Sequence, residues 1–382
     1  KAGLSSAAQE HLKASGVHAR PYSAFFSEAR GIIAGRAVFV EPATCSLAIL
    51  SLVPEEHRVE GTSPVEVFKA VKNAAEAEGL RRASRRDSAA LCELLASLES
   101  RLRAGETITE VGAAELMTSL RLKQELCVGD SFPTISSVGS NCALVHYQPE
   151  AATCKALDVA RIYLCDTGGQ YKDGTTDITR TVHFGEPSEE ERRVYTRVLQ
   201  GHILLASAVF PDETPGLMLD MLARQPLWQA GMQYGHGTGH GMGAYMNVHE
   251  GPMGIGGGSV PASVLKKSER MKMVYLEPFR AGHFVSDEPG CYLDGKFGVR
   301  IESDLLVVPA DTEFKMGSRQ WLKFEYLTLV PMCRALLEPS LLSPAEIRWL
   351  DAYHNTVWDT LHGSMSAAAC EWLRRETQPL GK

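Results

Sequence analysis

The sequence predicts an α+β fold, in which helices and strands alternate in blocks over residues 64–382. Stretches with apolar residues three and four positions apart predict helices, and shorter runs rich in β-branched and aromatic residues predict strands. The composition, with 44% hydrophobic and 22% charged residues in a chain of 382, is that of a globular protein with a large core.

The predicted helices begin at recognisable capping signals. The first covers 64–102, where Ser63 is a suitable cap and Pro64 suits the first helical position. Two more helices start at capping boxes, TITE at 107–110 and SEEE at 188–191, and extend to about 126 and about 209.

Strand character recurs between and after these helices. The predicted strands lie at 132–138, 142–147, 160–166, 176–184, 282–288, 298–308 and 322–330. Residues 1–60 predict a helix near 4–14 and small strands at 37–40 and in the apolar run ending at Val53. Residues 252–281 form a long, Gly-rich and then Lys/Arg-containing connection, and such connections are usually functional or disordered.

Charge and cysteine content exclude several classes of function. The net charge of -7, from 46 acidic and 39 basic residues, argues against nucleic-acid and anionic-membrane partners, and we interpret RRASRR at 81–86 as a solvated helix face. Nine cysteines without a C-x-x-C motif are typical of reduced thiols, and no apolar run approaches the roughly 20 residues of a membrane span. We therefore expect a cytoplasmic protein without a signal peptide, and its first residue, Lys1 in place of Met, indicates a fragment or a processed product.

The stretch GHGTGHG at 235–241 places His236 and His240 four residues apart. In a helix this spacing would put both imidazoles on one face, but each glycine costs about 1 kcal/mol in a helix interior. An extended or irregular segment, with close approach of another backbone, is therefore predicted. The two histidines need not share one ion, so further ligands must come from elsewhere.

Two other stretches each carry an acid on either side of an Asp-Gly turn. The pairs are Asp166 with Asp177 across Asp173-Gly174, and Glu288 with Glu302 across Asp294-Gly295. A hairpin would bring the members of each pair together. The repetition indicates two related halves that face one another.

Four clustered carboxylates repel one another if they are buried without a cation. Taken singly, an acid on a strand, an Asp-Gly hairpin or a lone histidine is usually an ordinary feature of a surface or a core. Their joint occurrence predicts a metal site. Carboxylates with one imidazole suit Mn²⁺, with Co²⁺, Fe²⁺ or Zn²⁺ as alternatives, and four acids with one histidine are enough for two ions bridged by carboxylates.

These residues, in this order and context, resemble the ligands of the pita-bread metallopeptidases, which include methionine aminopeptidase, proline dipeptidase, aminopeptidase P and the metal-free creatinase. Within that family the chain is most similar, over nearly its whole length, to the cytosolic Xaa-Pro aminopeptidases of eukaryotes. The matching stretches are AVKNAAEAEGLRRA (70–83), SFPTISSVGSN (131–141), DGTTDITRTVHFG (173–185), GHGTGHGMG (235–243), NVHEGP (247–252), SDEPG (286–290), FEYLTLVP (324–331) and WLRRETQPL (372–380).

The resemblance implies a domain organisation and a set of metal ligands. Residues 1–62 would be the C-terminal part of a non-catalytic creatinase-like N-terminal domain, and residues 63–382 would be a pita-bread catalytic domain. The implied ligands of two divalent ions are Asp166, Asp177, His240, Glu288 and Glu302, with Asp177 and Glu302 as the bridging carboxylates.

It also implies roles for the remaining side chains. His146 and His249 would flank the substrate and either transfer protons or stabilise the developing oxyanion, His236 would line the substrate pocket, and Arg300 would orient Glu302 and its neighbours. The implied reaction removes the first residue of peptides with proline second, through a metal-bridged hydroxide for which Glu288 is the acid-base partner. A homodimer is also expected.

Two alternatives and two departures accompany this resemblance. A proline dipeptidase would use the same metal site on dipeptides only, and a metal-free binding module would be expected to lack ligands that are all present here. The connection at 252–281 is longer than is usual in the family. Ser303-Asp304 follows Glu302 where relatives more often carry a neutral pair, and the extra acid could lie outside the site or alter metal affinity.

Overall fold

The computed structural model describes residues 3–42, 44–61 and 63–380. The chain divides into two compact units, Lys1–Val67 and Phe68–Lys382. Among the residues so described, no helix combines the length and the apolar composition that crossing a membrane requires.

The first unit consists of short elements. They are α1 (Ser6–Ala14), α2 (Phe25–Ile33), β1 (Val38–Val40), α3 (Leu47–Leu50) and β2 (Arg58–Glu60). The helix near 4–14 and the strand at 37–40 are confirmed, and β1 pairs with β2 in parallel. The strand expected in the apolar run ending at Val53 is wrong, because the Ser46 side chain caps α3 by accepting the N–H of Ile49.

The second unit combines long helices with antiparallel sheets, which confirms the predicted α+β class. Its helices, with the one at the division included, are α4 (Pro64–Ala70), α5 (Ala74–Arg103), α6 (Glu110–Arg121), α7 (Glu189–Ala206), α8 (Gly216–Gln229), α9 (Ala262–Leu265), α10 (Glu269–Leu276), α11 (Pro344–Leu361) and α12 (Ala367–Glu376). Its strands are β3 (Cys127–Asp130), β4 (Ile135–Val138), β5 (Ile162–Thr167), β6 (Gly169–Tyr171), β7 (Gly174–Thr175), β8 (Ile178–His183), β9 (Val209–Pro211), β10 (Gly239–His240), β11 (Gly254–Ile255), β12 (Phe284–Asp287), β13 (Gly290–Leu293), β14 (Phe297–Arg300), β15 (Ser303–Pro309) and β16 (Trp321–Tyr326).

The helix predicted at 64–102 is two helices. Asn73 interrupts it, because its Oδ1 accepts the N–H groups of Ala75 and Glu76 at 2.9 and 3.0 Å while Glu76 bonds back to the Asn73 N–H. This reciprocal arrangement is a capping box and starts α5. The capping box predicted at Ser188 is confirmed and starts α7.

The capping box predicted in TITE is wrong. Thr109 is the cap of α6, and Glu110 turns inward, where its fully buried carboxylate accepts four donors. These donors are the N–H of Val138 at 2.8 Å, the Asn141 amide at 2.9 Å, the Tyr147 hydroxyl at 2.7 Å and the N–H of Lys155 at 2.8 Å. They fix an irregular segment, so the strand expected at 142–147 is also wrong.

Two sheets position the predicted acids. One has the strand order β4-β5-β8 and the other β12-β15-β16-β9. In the first, Asp166 on β5 pairs with Thr179 on β8, and in the second Asp287 on β12 pairs with Ser303 on β15. The N–H of Glu302 donates to the carbonyl of Thr179 at 3.0 Å and so joins the two sheets where the acids lie.

Both predicted Asp-Gly turns are present as hairpins. The first is shifted by one residue, because Lys172-Asp173 form the turn between β6 and β7 and Gly174 begins β7, whereas Asp294-Gly295 lies between β13 and β14. The single strand expected at 298–308 is two strands, because β14 pairs with β13 whereas β15 pairs with β12. Glu302 lies at this change of partner.

The main hydrophobic core lies behind these sheets. Side chains of α5, β5, α7 and β14 meet there, among them Leu94, Leu164, Val198 and Val299. The connection at 252–281 contains β11, α9 and α10. The helices α8, α11 and α12 were not predicted from the sequence.

Candidate metal centre

Five ligand-type side chains from different elements line one cavity of about 280 Å³. Asp166 comes from β5, Asp177 directly precedes β8, His240 ends β10, Glu288 directly follows β12 and Glu302 directly precedes β15. The structure therefore brings together all five residues that the sequence analysis assigned to metal binding. The apolar part of the lining consists of Phe132, Pro133, Ile135, Val145 and Val248.

Three of the five form a compact group. One ligand atom each from Asp177, His240 and Glu302 lie within 4.8 Å of one another. His240 Nε2 is 3.4 Å from Oδ2 of Asp177 and 3.6 Å from Oε1 of Glu288. These separations leave room for a cation between the atoms without a rearrangement of the backbone.

Burial and mutual repulsion perturb the acids. Burial raises the pKa of Asp177 well above its usual range, and the charges of Asp166 and Asp304 add to this effect. Burial, with the charge of Asp177, likewise raises the pKa of Glu302. Oδ1 of Asp166 and Oδ1 of Asp177 are buried without a hydrogen-bond partner in the described chain. A divalent cation would relieve both conditions, and the set of carboxylates with one imidazole fits such an ion.

Arg300 connects the two halves of the centre. Its Nη2 donates to Oδ2 of Asp166 at 2.5 Å and its Nε to Oγ1 of Thr179 at 3.1 Å. The Thr179 hydroxyl in turn donates to Oε2 of Glu302 at 2.6 Å. Arg300 thus reaches Glu302 through Thr179, while its direct partner among the acids is Asp166.

The glycines around His240 permit close backbone contacts. A Cβ on Gly239 would lie 2.0 Å from the carbonyl oxygen of Ser286, and a Cβ on Gly241 would lie 2.1 Å from that of Glu250. Because β12 and the loop after His240 approach this closely, the ring of His240 reaches the acids. Its Nδ1 lies 3.0 Å from the carbonyl oxygen of Gly241, which leaves Nε2 to face Asp177.

His146 and His249 line the same cavity, as the resemblance implied. The ring of His249 lies 4.0 Å from that of His240, centroid to centroid. Burial, together with the nearby rings of His240 and His146, lowers the pKa of His249 to about 4. A neutral imidazole beside the acids can accept and return a proton.

His236 is placed differently. It is not among the residues that line this cavity. Its Nε2 lies 2.9 Å from the Tyr292 hydroxyl and its Nδ1 lies 2.7 Å from the carbonyl oxygen of Gly237. Burial lowers its pKa to about 4. Tyr292 also accepts a hydrogen bond from Nη1 of Arg300 at 2.9 Å, so its hydroxyl links His236 to the arginine.

Three further residues of the centre were missed or left undecided by the sequence analysis. Thr179 and Tyr292 complete the hydrogen bonds of Arg300. Thr179 lies two positions after Asp177, a spacing that puts both on one face of a strand and could have identified it. Asp304 is fully buried and accepts the N–H of Asp177 at 3.3 Å, so the extra acid lies beside the site.

Models of known families match almost the whole chain. Residues 78–309 match Metallopeptidase family M24, residues 320–380 match the C-terminal region of peptidase M24, and residues 1–76 match the Creatinase/Prolidase N-terminal domain.

Several curated relatives carry the name probable Xaa-Pro aminopeptidase P. The protein of Aspergillus fumigatus is 45% identical over 377 residues, which cover 95% of this chain and 55% of the relative. That of Tuber melanosporum is 50% identical over 320 residues, which cover 83% of this chain and 50% of the relative. The chain thus spans about half the length of the curated relatives that it matches.

Solved structures share this fold. An X-prolyl aminopeptidase from Caenorhabditis elegans, described as a cytosolic enzyme with a di-nuclear active site, superimposes with a TM-score of 0.89 at 36% identity and covers 99% of this chain and 60% of that one. An Xaa-Pro dipeptidase from Bacillus anthracis, at 22% identity and a TM-score of 0.64 with 85% and 82% coverage, shares the fold.

Proposed function

Because this chain belongs to metallopeptidase family M24, we propose that it is an Xaa-Pro aminopeptidase, which removes the first residue of peptides whose second residue is proline. The observation that carries the proposal is the convergence of Asp177, His240 and Glu302, with ligand atoms within 4.8 Å of one another, in the cavity that His146 and His249 also line. Curated relatives that carry the name of this activity support the proposal, and the match to one of them covers 95% of this chain.

The metal set proposed is two divalent ions, most suitably Mn²⁺, with Co²⁺, Zn²⁺ and Fe²⁺ as alternatives. Asp166, Asp177, His240, Glu288 and Glu302 would hold them, with Asp177 and Glu302 proposed as the shared ligands because of the family resemblance. When bound, two such ions supply Lewis acidity and a water of lowered pKa.

The reaction adds water across one peptide bond. The water oxygen joins the carbonyl carbon of the first residue, the bond from that carbon to the proline nitrogen breaks, and the nitrogen receives a proton. Glu288, with its pKa raised by burial, takes one proton of the attacking water, and this proton passes through the neutral imidazole of His249 or His146 to the leaving nitrogen. Arg300 and Thr179 keep the acids in place.

Proline at the second position is selected by shape and by chemistry. Its ring suits a defined apolar wall, and its nitrogen carries no hydrogen in the peptide, so departure depends on a positioned proton donor. The cavity offers both in Phe132, Ile135 and Val145 and in the two imidazoles.

The proposal extends to cellular context. A cytoplasmic location is supported by the nematode enzyme described as cytosolic and by nine free cysteines. A homodimer and a catalytic role for residues 63–382, with residues 1–62 belonging to a non-catalytic N-terminal domain, are proposed on the same family grounds.

The test is cleavage by the purified 382-residue chain, with and without Mn²⁺. The substrates are one Xaa-Pro-Yaa peptide, its counterpart with alanine second, and the Xaa-Pro dipeptide. We expect metal-dependent release of the first residue from the proline tripeptide and little cleavage of the alanine peptide. Cleavage of the dipeptide alone would identify a proline dipeptidase, and activity that survives complete removal of metal would contradict the proposal.

A further inference from the structure

Beside the metal centre, the carboxylate of Glu250 contacts two ammonium groups. Its Oε1 lies 3.1 Å from Nζ of Lys72, and its Oε2 lies 2.9 Å from Nζ of Lys69. The side chain of Lys72 is fully buried, whereas that of Lys69 is 46% exposed. Exposed ion pairs contribute little to the stability of a fold, whereas a buried charge is strongly destabilising if its oppositely charged partner is removed. Lys72 is therefore the stronger anchor of Glu250.

Lys72 is fixed independently of the loop that carries Glu250. Its backbone N–H donates to the carbonyl of Gly282 at 2.8 Å, close to the start of β12. The next residue, Asn73, is the cap of α5. The ammonium group thus has a position set by a strand and a helix of the second unit.

Glu250 ends a strained loop that begins after His240. Its N–H donates to the carbonyl of Gly241 at 2.7 Å, and this hydrogen bond joins the end of the loop to its beginning. Within the loop, Met246 and Asn247 have φ angles of 61° and 58°. Left-handed backbone costs non-glycine residues on the order of 1 kcal/mol and persists only where surrounding contacts determine it.

His249 lies in this loop, directly before Glu250. The residue is only partly covered, and its imidazole packs against the His240 ring, 4.0 Å away between centroids. The neighbours that the structure shows for this ring are the imidazoles of His240 and His146. The position of this imidazole therefore depends on the loop backbone and on the residue that anchors it.

We propose that Lys72 and Glu250 are positioning residues for His249, an inference that rests on the proposed function because that function assigns proton transfer to His249. The ion pair holds the residue after His249 against a fixed part of the fold. When Lys72 is removed, only the exposed contact with Lys69 remains, and solvent screens it. The imidazole then leaves the position from which it reaches the proline nitrogen.

The experiment compares Lys72→Met with Lys172→Met, an exposed lysine that lines the same surface cavity as Glu250. Four quantities are measured in the full chain loaded with Mn²⁺: kcat and KM on an Xaa-Pro-Yaa peptide, the bound metal content, and hydrogen exchange of the amides at 244–251. For Lys72→Met we expect a fall in kcat of about 10- to 100-fold, a similar KM, unchanged metal content and faster exchange in this segment. The control should match the parent in all four.

A double variant separates positioning from stability. Replacement of both partners of a buried ion pair by apolar residues is often neutral for stability, so Lys72→Met/Glu250→Met should melt close to the parent while kcat stays low. Parental exchange at 244–251 in Lys72→Met, or parental kcat in the double variant, would overturn the proposal. A parent chain that does not cleave Xaa-Pro peptides would instead refute the proposed function, and the exchange data would still decide whether the pair orders the loop.

Discussion

Arg300 and Asp166 form a buried ion pair at the edge of the metal centre, with Nη2 of Arg300 2.5 Å from Oδ2 of Asp166. The same guanidinium donates to Thr179, whose hydroxyl bonds Glu302. One arginine therefore orients acids from both sheets, and the geometry of the centre depends on a planar guanidinium with several N–H donors in fixed directions.

Replacement of Arg300 by lysine should lower the affinity for Mn²⁺ about 10- to 100-fold, because an ammonium group cannot donate in the same fixed directions. Calorimetric titration of metal-free protein measures this affinity. Arg161→Lys, at an arginine whose side chain is 58% exposed, is the control. Parental affinity in Arg300→Lys would show that the acids keep their geometry without the guanidinium.

Asp177 and Asp166 should respond in opposite directions in metal-free protein. Asp177→Asn removes a buried charge repelled by its neighbours and should raise the melting temperature by a few degrees, since 1 kcal/mol corresponds to about 2–4 °C in domains of 150–250 residues. Asp166→Asn leaves the buried Arg300 without its carboxylate and should lower it. Scanning calorimetry after chelation gives both shifts, and a common sign would contradict this electrostatic account.

Metal retention and rate should separate at the two neighbouring histidines. His249→Ala should keep its metal yet lose on the order of 10²–10⁴ in kcat, the scale of a positioned proton donor. His240→Ala should lose metal as well as rate, because its Nε2 lies 3.4 Å from Asp177 among the ligand atoms. Elemental analysis and kinetics on one Xaa-Pro-Yaa peptide check both variants. Full activity in His249→Ala would remove its proposed role.

Gly239→Ala should destabilise the chain by roughly 1–3 kcal/mol and weaken metal binding, because the new Cβ would lie 2.0 Å from the carbonyl oxygen of Ser286. Gly235→Ala is a matched control in the same stretch, since a Cβ there meets nothing within 4 Å. Urea unfolding of both variants measures the difference. Equal stability would mean that β10 and β12 can separate without cost.

His354 should make the chain less stable in acid. Burial lowers its pKa to about 3, while the unfolded value is near 6.5, so its contribution is complete above pH 6.5 and is lost as pH falls toward 3. Between pH 7 and pH 5, His354 lowers the free energy of unfolding by about 2 kcal/mol. Its Nε2 accepts the N–H of Met332 at 3.2 Å, and glutamine can replace that acceptor. Urea unfolding of His354→Gln at both pH values should therefore show a correspondingly smaller loss than the parent, and an equal loss would contradict the prediction.

The parts of the fold that sequence predicts here are those set by local chemistry. Membership of the pita-bread metallopeptidases, with an α+β fold, is confirmed by the M24 match and by the nematode structure. Ser188 starts α7 as expected, because a capping box involves only neighbours in sequence. Both Asp-Gly hairpins form for the same reason.

The errors arise where distant contacts override local preference. Glu110 has the spacing of a capping residue but bonds donors 28 to 45 positions away. The pairing of Lys72 with Glu250 joins residues 178 positions apart, and Arg300 reaches Asp166 over 134 positions. The spacing of residue types along the sequence does not predict such distant partners. That the five ligand-type residues lie together could be anticipated from their order and context, whereas the side chains that bond to them could not.

Glu110 has a consequence for how this protein can evolve. One carboxylate fastens Val138, Asn141, Tyr147 and Lys155, and between those points the chain supplies Val145, His146 and Gln148 to the cavity wall. This part of the cavity wall is therefore a segment held at fixed points by the hydrogen bonds of Glu110. Exchanges at Val145 or Gln148, between these attachment points, can change the shape of the cavity while α6, β4 and the ligand-bearing strands keep their positions.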